Sequence, residues 1–364
     1  MKYVRSAWYV AGWSQDLATE SPLAITILGQ SIVVWRSGSS VVAMEDRCVH
    51  RLAPLSLGRC EEGHLRCMYH GFLYDRSGQV VQIPGQSTVP PNARVRTFAV
   101  AERHSWIWVW MGDPALADPA TIPPAVGFDD PDWILGRGHL DYAAEAELIN
   151  DNLLDFSHLT YVHANSFGAG PAFAEDRPKL TVLPLGVRFE RWIVGTSGPA
   201  LGSEPGAVVD AWSTYDFLVP GILLMWSGSF PAGTANTCAF EKPDCSLAIS
   251  GVTFTSQAVT PMEDKAARYF FSWGPHRRHG DEALRDVLMT IAAKAFAEDK
   301  RIIEAQQRVI DRTPVVNVLP TAHDRGVRLF SQLVARMVRD ESAAPVGEHA
   351  VANASLNGVA NVSV

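Results

Sequence analysis

Several features are scarce in this chain, and each scarcity removes a class of function. Basic residues are outnumbered: 31 Lys and Arg face 39 Asp and Glu, a formal charge of −8. That balance does not suit binding to a phosphate backbone, which needs clustered Lys and Arg. No run of about 18 apolar residues appears, so no membrane span is expected. The opening Met1-Lys2-Tyr3-Val4-Arg5-Ser6-Ala7-Trp8 has no apolar stretch ending in a small-residue cleavage site, so a cytoplasmic location is expected. Cysteines number five: Cys48, Cys60, Cys67, Cys238 and Cys245. An odd count without a secretory leader argues against a disulfide framework. Thiols placed near histidines then read as metal ligands or as small buried hydrophobes. There is no internal repeat.

What is present suits two domains with sizeable cores, since the chain has 364 residues and 47% are hydrophobic. The first third reads as β structure. Ile25–Ile27, Ser31–Trp35 and Ser40–Met44 are short β-branched runs separated by Gly and Ser. In Ser105–Trp110 the alternation puts Trp106, Trp108 and Trp110 on one face and Ile107 and Val109 on the other. Residues 111–131 are rich in Pro, Gly, Ala and Asp and read as a linker. The expected division is therefore a first domain over 1–115, a second over 116–341 and a disordered tail over 342–364. In the second domain a helical pattern covers 143–164, and strands broken by Gly and Pro follow from 179 to 273. A long helix spans about 281–312 with Asp281 near its start, and another covers about 325–339.

Two groups of metal-ligating side chains stand out. Cys48-Val49-His50 is followed by Cys67-Met68-Tyr69-His70, so each segment offers one thiolate and one imidazole close together. A Rieske [2Fe–2S] cluster needs two Cys on one iron and two His on the other. Zinc tolerates the same four residues, but structural zinc sites usually pair C-x₂₋₄-C with H-x₃₋₅-H. Gly58 and Gly71 suit the tight loops that would bring the pairs together, whereas Cys60 and His64 lack the short spacings and read as structural.

The second group lies in Asn150–His163, which is dense in ligand-capable side chains for an otherwise apolar helix. Non-haem Fe(II) oxygenases use two His and one carboxylate on one face of the iron. His158 and His163 are separated by about 140° on an ideal helix, so both reach one ion only if the helix is distorted or ends there. The carboxylate must come from elsewhere, and Asp299 in Ala297-Glu298-Asp299-Lys300 is the best candidate. Each of these residues also has a plainer reading, as part of an ordinary polar helix face.

Cys48-Val49-His50-Arg51, Leu57-Gly58 and Cys67-Met68-Tyr69-His70-Gly71 resemble the Rieske domain of aromatic-ring oxygenases. Trp8-Tyr9-Val10-Ala11 and Gly112-Asp113-Pro114 resemble a narrower branch, the oxygenase subunits of vanillate and dicamba O-demethylases. The resemblance implies an α+β fold: an antiparallel β Rieske domain, then a helix-grip catalytic domain with a curved antiparallel sheet around a long helix. It implies that Cys48, His50, Cys67 and His70 hold the cluster and that His158, His163 and Asp299 hold a mononuclear Fe(II). It further implies that Asp155 bridges to a Rieske histidine of a neighbouring subunit, with His70 the expected partner and His50 the alternative. Such a shuttle implies a ring, expected to be a homotrimer. Asn152, one helical turn before Asp155, is expected near the iron.

The chemistry so implied is oxygenation of a small aromatic compound with O₂. In the demethylase branch one oxygen atom enters a methyl C–H bond, and the resulting hemiacetal collapses to a phenol and formaldehyde. N-dealkylation is the same reaction on an N-alkyl carbon. Ring or side-chain hydroxylation is the enzymatic alternative, and a Rieske electron carrier is the alternative from another class. No C-x₄-C-x₂-C spacing and no G-x-G-x-x-G after a strand is present, and Gly168-Ala169-Gly170 before Pro171 reads as a loop. Electrons from NAD(P)H are therefore expected through a separate ferredoxin or reductase. The run Gly221–Trp226 is apolar and has no basic residue, so a neutral aromatic is the expected substrate.

Overall fold

The computed structural model describes residues 2–167, 170–196, 208–314 and 317–343. They form two compact units. One is Tyr3–Ile122 with Thr260–Asp264, and the other is built from Pro123–Val259 and the chain from Lys265 on. Among the described residues no helix is long and apolar enough to cross a membrane.

The first unit is antiparallel β structure in three small sheets. Trp106–Trp110 is the central strand of one, between Trp8–Trp13 and Val100–Arg103. All five of its residues are buried, so both faces of this strand are covered and alternation marks no solvent side. A second sheet joins Leu23–Ile27, Gln30–Ser37, Ser40–Glu45 and Thr97–Phe98. The third joins Arg59–Glu61, His64–Arg66, Leu73–Tyr74 and Val80–Gln82. Cys48 and Cys67 are buried in a core with Val33, Trp35, Met44, Leu55, Leu65 and Tyr74. Cys60 and His64 sit on two paired strands of the third sheet.

The second unit is organised by a seven-stranded antiparallel sheet. Its strands are β1 (Gly136–Tyr142), β2 (Lys179–Leu183), β3 (Gly186–Thr196), β4 (Val209–Leu218), β5 (Ile222–Pro231), β6 (Ser250–Glu263) and β7 (Ala266–Pro275). They lie in the order β1-β7-β6-β5-β4-β3-β2. Three main helices accompany the sheet: α1 (Ala146–Leu154), α2 (Glu282–Arg312) and α3 (Arg325–Ala343). The helices share one sheet face. Phe296 of α2 meets Tyr269 and Phe271, and Phe330 of α3 meets Phe217. On the other face Trp212, Trp226 and Phe230 pack with Trp133 and Leu135. Two glycines of β1 leave room on the helix-bearing face, Gly136 for α2 and Gly138 for the cross-strand Phe271 ring. A Cβ at Gly136 would lie 2.3 Å from Met289, and one at Gly138 would lie 2.4 Å from the Phe271 ring.

Helix α2 starts where its capping signal stands, with the Leu284 N–H donating to the Asp281 carboxylate at 3.0 Å. Its buried stripe is Leu288, Ala292, Ala295, Phe296, Asp299, Ile303 and Gln307. A carboxylate in an otherwise largely apolar stripe is costly unless something compensates its charge. Of the expected tail, Ser342 and Ala343 complete α3, and 344–364 lie outside the described residues, as do Gly168 and Ala169 of the expected loop.

Candidate metal centres

The two Cys–His segments fold into equivalent loops. The Cys48 N–H donates to Ala53 O and Leu52 N–H to Cys48 O; the Cys67 N–H donates to Phe72 O and Gly71 N–H to Cys67 O. Leu52 (φ +58°) and Gly71 (φ +77°) occupy the matching left-handed positions. The first loop thus holds a leucine in a conformation that costs a non-glycine residue about 1–2 kcal/mol. Gly58 plays another part from the one expected: its φ is −85°, and a Cβ there would fall 2.3 Å from Arg66 O. It permits close backbone approach rather than a tight turn.

These loops place buried thiols beneath exposed imidazoles. Cys48 and Cys67 are 2% and 1% exposed, while His50 and His70 are exposed with ring centroids 4.5 Å apart. Burial pushes the Cys67 thiol up, and the adjacent Cys48 adds to the shift. Two neighbouring buried thiols ionise readily only beside a compensating cation, and a cluster with sulfur ligands on one iron and nitrogen ligands on the other fits this set. The Tyr74 hydroxyl donates to Cys48 Sγ at 3.1 Å and accepts from the Val49 N–H at 2.9 Å. Sequence reading missed Tyr74, which carries no motif of its own.

The second constellation assembles because a helix stops. Helix α1 ends at Asp155, whose backbone is extended (φ −131°, ψ 96°) and whose carboxylate accepts from the Ser157 N–H at 2.9 Å. Phe156–His158 form a 3₁₀ turn and Leu159–Val162 a single α turn, so the ideal helical angle between the histidines does not apply. Their ring centroids are 5.3 Å apart. Asp299 Oδ1 lies 3.2 Å from His163 Nε2 and 3.5 Å from His158 Nε2. One ligand atom from each of the three residues lies within 4.8 Å of the others. Cis donors about 2.1 Å from a metal lie about 3 Å apart, so these spacings suit a facial triad.

The outer nitrogens fix both rings. His158 Nδ1 is 2.6 Å from the Asp155 backbone carbonyl, and His163 Nδ1 is 2.9 Å from Glu298 Oε2. Each Nε2 thereby faces Asp299. His163 is fully buried, and its Nε2 makes no hydrogen bond despite the nearby carboxylate. A buried nitrogen that faces two other ligand-type atoms without hydrogen-bonding either is what the donor set of a metal site presents. Burial pulls the His158 ring below its ordinary value. For His163 burial acts the same way, but contact with Asp299 and Glu298 prevails and raises it. Asn152 Nδ2 donates to Asp299 Oδ1 at 3.1 Å and lies 3.3 Å from His158 Nε2, so Asn152 stands beside the triad.

The Asp155 carboxylate is placed differently. It lines a cavity of about 210 Å³ with Arg177, Arg191, Tyr215, His323 and Arg325. Arg191 is 9% exposed and held by the carbonyls of Ala172 and Phe173 and by the Phe173 ring. It lies on the sheet face that carries Phe189 and Tyr215, so that face includes a cation although the Gly221–Trp226 run has none. Sequence reading missed Arg191 because a strand arginine looks like a solvated one.

The fold and these two constellations define the oxygenase component of a Rieske non-haem iron system. A model of the Rieske [2Fe–2S] domain matches residues 7–99, and one of the vanillate O-demethylase oxygenase C-terminal domain matches 142–340. The chain belongs to the family of vanillate O-demethylase oxygenase subunits. It is 36% identical to a putative toluene-4-sulfonate monooxygenase system iron–sulfur subunit of Comamonas testosteroni, over 93% of this chain and 98% of that one. Against a vanillate O-demethylase oxygenase subunit of a Pseudomonas strain, identity is 33% over 87% of this chain and 97% of the relative. Dicamba monooxygenase bound to dicamba superposes with a TM-score of 0.82 at 31% identity, covering 94% of this chain and 100% of that one. The cofactors are therefore a Rieske [2Fe–2S] cluster and a mononuclear iron.

Proposed function

We propose that this enzyme removes an alkyl group from an aromatic compound by O-demethylation or N-dealkylation and releases an aldehyde. The functional units are the Rieske domain over 1–115 and the catalytic domain over 116–341. Cys48, His50, Cys67 and His70 would hold the cluster, and His158, His163 and Asp299 the iron. The buried, unpartnered His163 Nε2 beside Asp299 is the observation that carries the iron assignment. Relatives named for vanillate, dicamba and chloroacetanilide support dealkylation.

When bound, the cluster supplies single electrons and the iron a place to activate O₂. The chain's own residues set the geometry. Asp155 turns His158 through its backbone carbonyl, and Asn152 orients the Asp299 carboxylate. Phe167, in contact with His163, Trp273 and Phe296, gives the site an apolar wall that excludes water and accepts an aromatic ring. Asp155 would receive the exposed Rieske histidine of a neighbouring copy in a homotrimer. Electrons would come from NAD(P)H through a separate ferredoxin or reductase.

Side-chain hydroxylation is the second reading, favoured by the relatives named for toluene-4-sulfonate. Both reactions begin with oxygen insertion into an alkyl C–H bond; the product collapses when that carbon is bonded to oxygen or nitrogen and survives when it is bonded to the ring. Single turnover of reduced, iron-loaded enzyme with O₂ separates them, using methoxybenzoates, neutral anisoles, N-alkyl anilides and toluene-4-sulfonate. Stoichiometric aldehyde from an O- or N-alkyl compound is expected. A hydroxymethyl product from toluene-4-sulfonate, with no aldehyde from the others, would replace dealkylation by hydroxylation.

A further inference from the structure

Glu298 immediately precedes the proposed iron ligand Asp299 on α2, and the two carboxylates grip the same imidazole from opposite ends. Glu298 Oε2 is 2.9 Å from His163 Nδ1, and Asp299 Oδ1 is 3.2 Å from His163 Nε2. The extra methylene of glutamate lets one helix turn reach both nitrogens. A second donor completes the arrangement, with the Ser166 hydroxyl donating to the same Oε2 at 2.7 Å. Ser166 belongs to the turn that follows His163, its N–H donating to His163 O at 3.1 Å. One helical turn earlier on α2, the Lys294 ammonium donates to Asn165 O at 2.6 Å. Helix α2 therefore holds the 163–166 turn through Lys294 and Glu298 while presenting Asp299 to the metal side.

The two histidines are inequivalent. His158 has only a neutral backbone carbonyl at its outer nitrogen, whereas His163 has a carboxylate. A carboxylate on the outer N–H of a ligating imidazole fixes its tautomer and orientation and makes it a stronger donor. An uncompensated second anion next to Asp299 would be unfavourable in this half-buried place, and a dication among them removes that conflict. Resting on the iron assignment above, we propose that Glu298 is a positioning residue for the iron, locking the His163 ring with Nε2 toward the metal.

Fe(II) affinity of the chelator-treated protein, with the Rieske cluster retained, tests this in wild type, E298Q and E298A. Glutamine keeps an acceptor for His163 and Ser166 but removes the charge, and alanine removes both. E298A is expected to weaken Fe(II) binding about ten- to a hundredfold, with E298Q between it and wild type. In the Fe(II) form the metal-shifted His163 ring N–H should give a slowly exchanging proton resonance in wild type and E298Q, and lose it to solvent exchange in E298A. Affinity of E298A within about twofold of wild type, or an unchanged resonance there, overturns the proposal. If E298A does not fold, E298Q alone decides, by a weaker affinity or an equal one. Failure of the wild-type protein to bind Fe(II) would instead overturn the iron assignment itself.

Discussion

Replacing Asp299 by asparagine separates a metal ligand from a structural carboxylate by the sign of two effects. The asparagine side chain would keep an oxygen to accept from Asn152 Nδ2, so the local hydrogen bond at 3.1 Å survives and only the charge is lost. Asp299 is 5% exposed, and a buried anion is destabilising when nothing compensates it. At a pH where His163 is neutral and no imidazolium compensates Asp299, D299N without metal should therefore be at least as stable as wild type. With metal the order inverts. Fe(II) at about 100 times the wild-type Kd stabilises the native state by about 2.7 kcal/mol. For a unit of this size that is about 5–10 °C in Tm. Loss of the anionic ligand weakens binding at least as much as loss of an outer-shell partner, about a hundredfold at its upper end. At the same Fe(II) concentration the gain then falls to about 0.4 kcal/mol, or about 1 °C. Anaerobic calorimetry with and without Fe(II) measures both. Equal destabilisation of D299N in the two conditions would make Asp299 structural and refute the triad.

Two other carboxylates make contrasting predictions. Burial, with repulsion from Glu147 and Asp324, pushes the Asp151 carboxyl from 3.8 up to about 6. Between about pH 4 and 6 the folded chain keeps a proton that the unfolded chain has lost, so Asp151 makes stability fall as pH rises through that window. D151N should raise stability by about 1–2 kcal/mol at pH 7 and by much less near pH 4, and urea midpoints showing an equal gain at both would contradict this. Asp210 is fully buried and accepts N–H bonds from Gly195, Gly233 and Ala235, tying strand β3 to the segment after β5. D210A leaves those donors unpaired and should cost about 2–4 kcal/mol of unfolding free energy, whereas a loss under about 0.5 kcal/mol would show that water replaces the carboxylate.

How much is legible in the sequence depends on whether a residue's role is set locally. The Rieske loops are readable because the short Cys–His spacings are themselves the loop, and Asp281 marks the start of α2 within one residue. His158 and His163 are readable only conditionally: their convergence needs a helix break, which Asp155 supplies by capping the next turn. Glu298 reads as part of a charged helix face because a Glu-Asp pair looks like any solvated pair. Its partner His163 lies 135 residues away, a contact that no local pattern encodes. Arg191 escapes notice for the same reason, since its partners are the carbonyls of Ala172 and Phe173. The neutral-substrate expectation rests on one strand and ignores the neighbouring strands of the same face.

Iron and acid-labile sulfide analysis of wild type, H163A and C67S tests the central claim, two separate metal centres, most directly. Wild type should carry about three iron atoms and about two sulfides per chain. H163A should lose about one iron while its cluster spectrum stays intact, and C67S should lose the sulfide and the cluster spectrum but keep the mononuclear iron. A colourless wild-type protein holding zinc, or loss of both centres on removing His163 alone, would contradict the account.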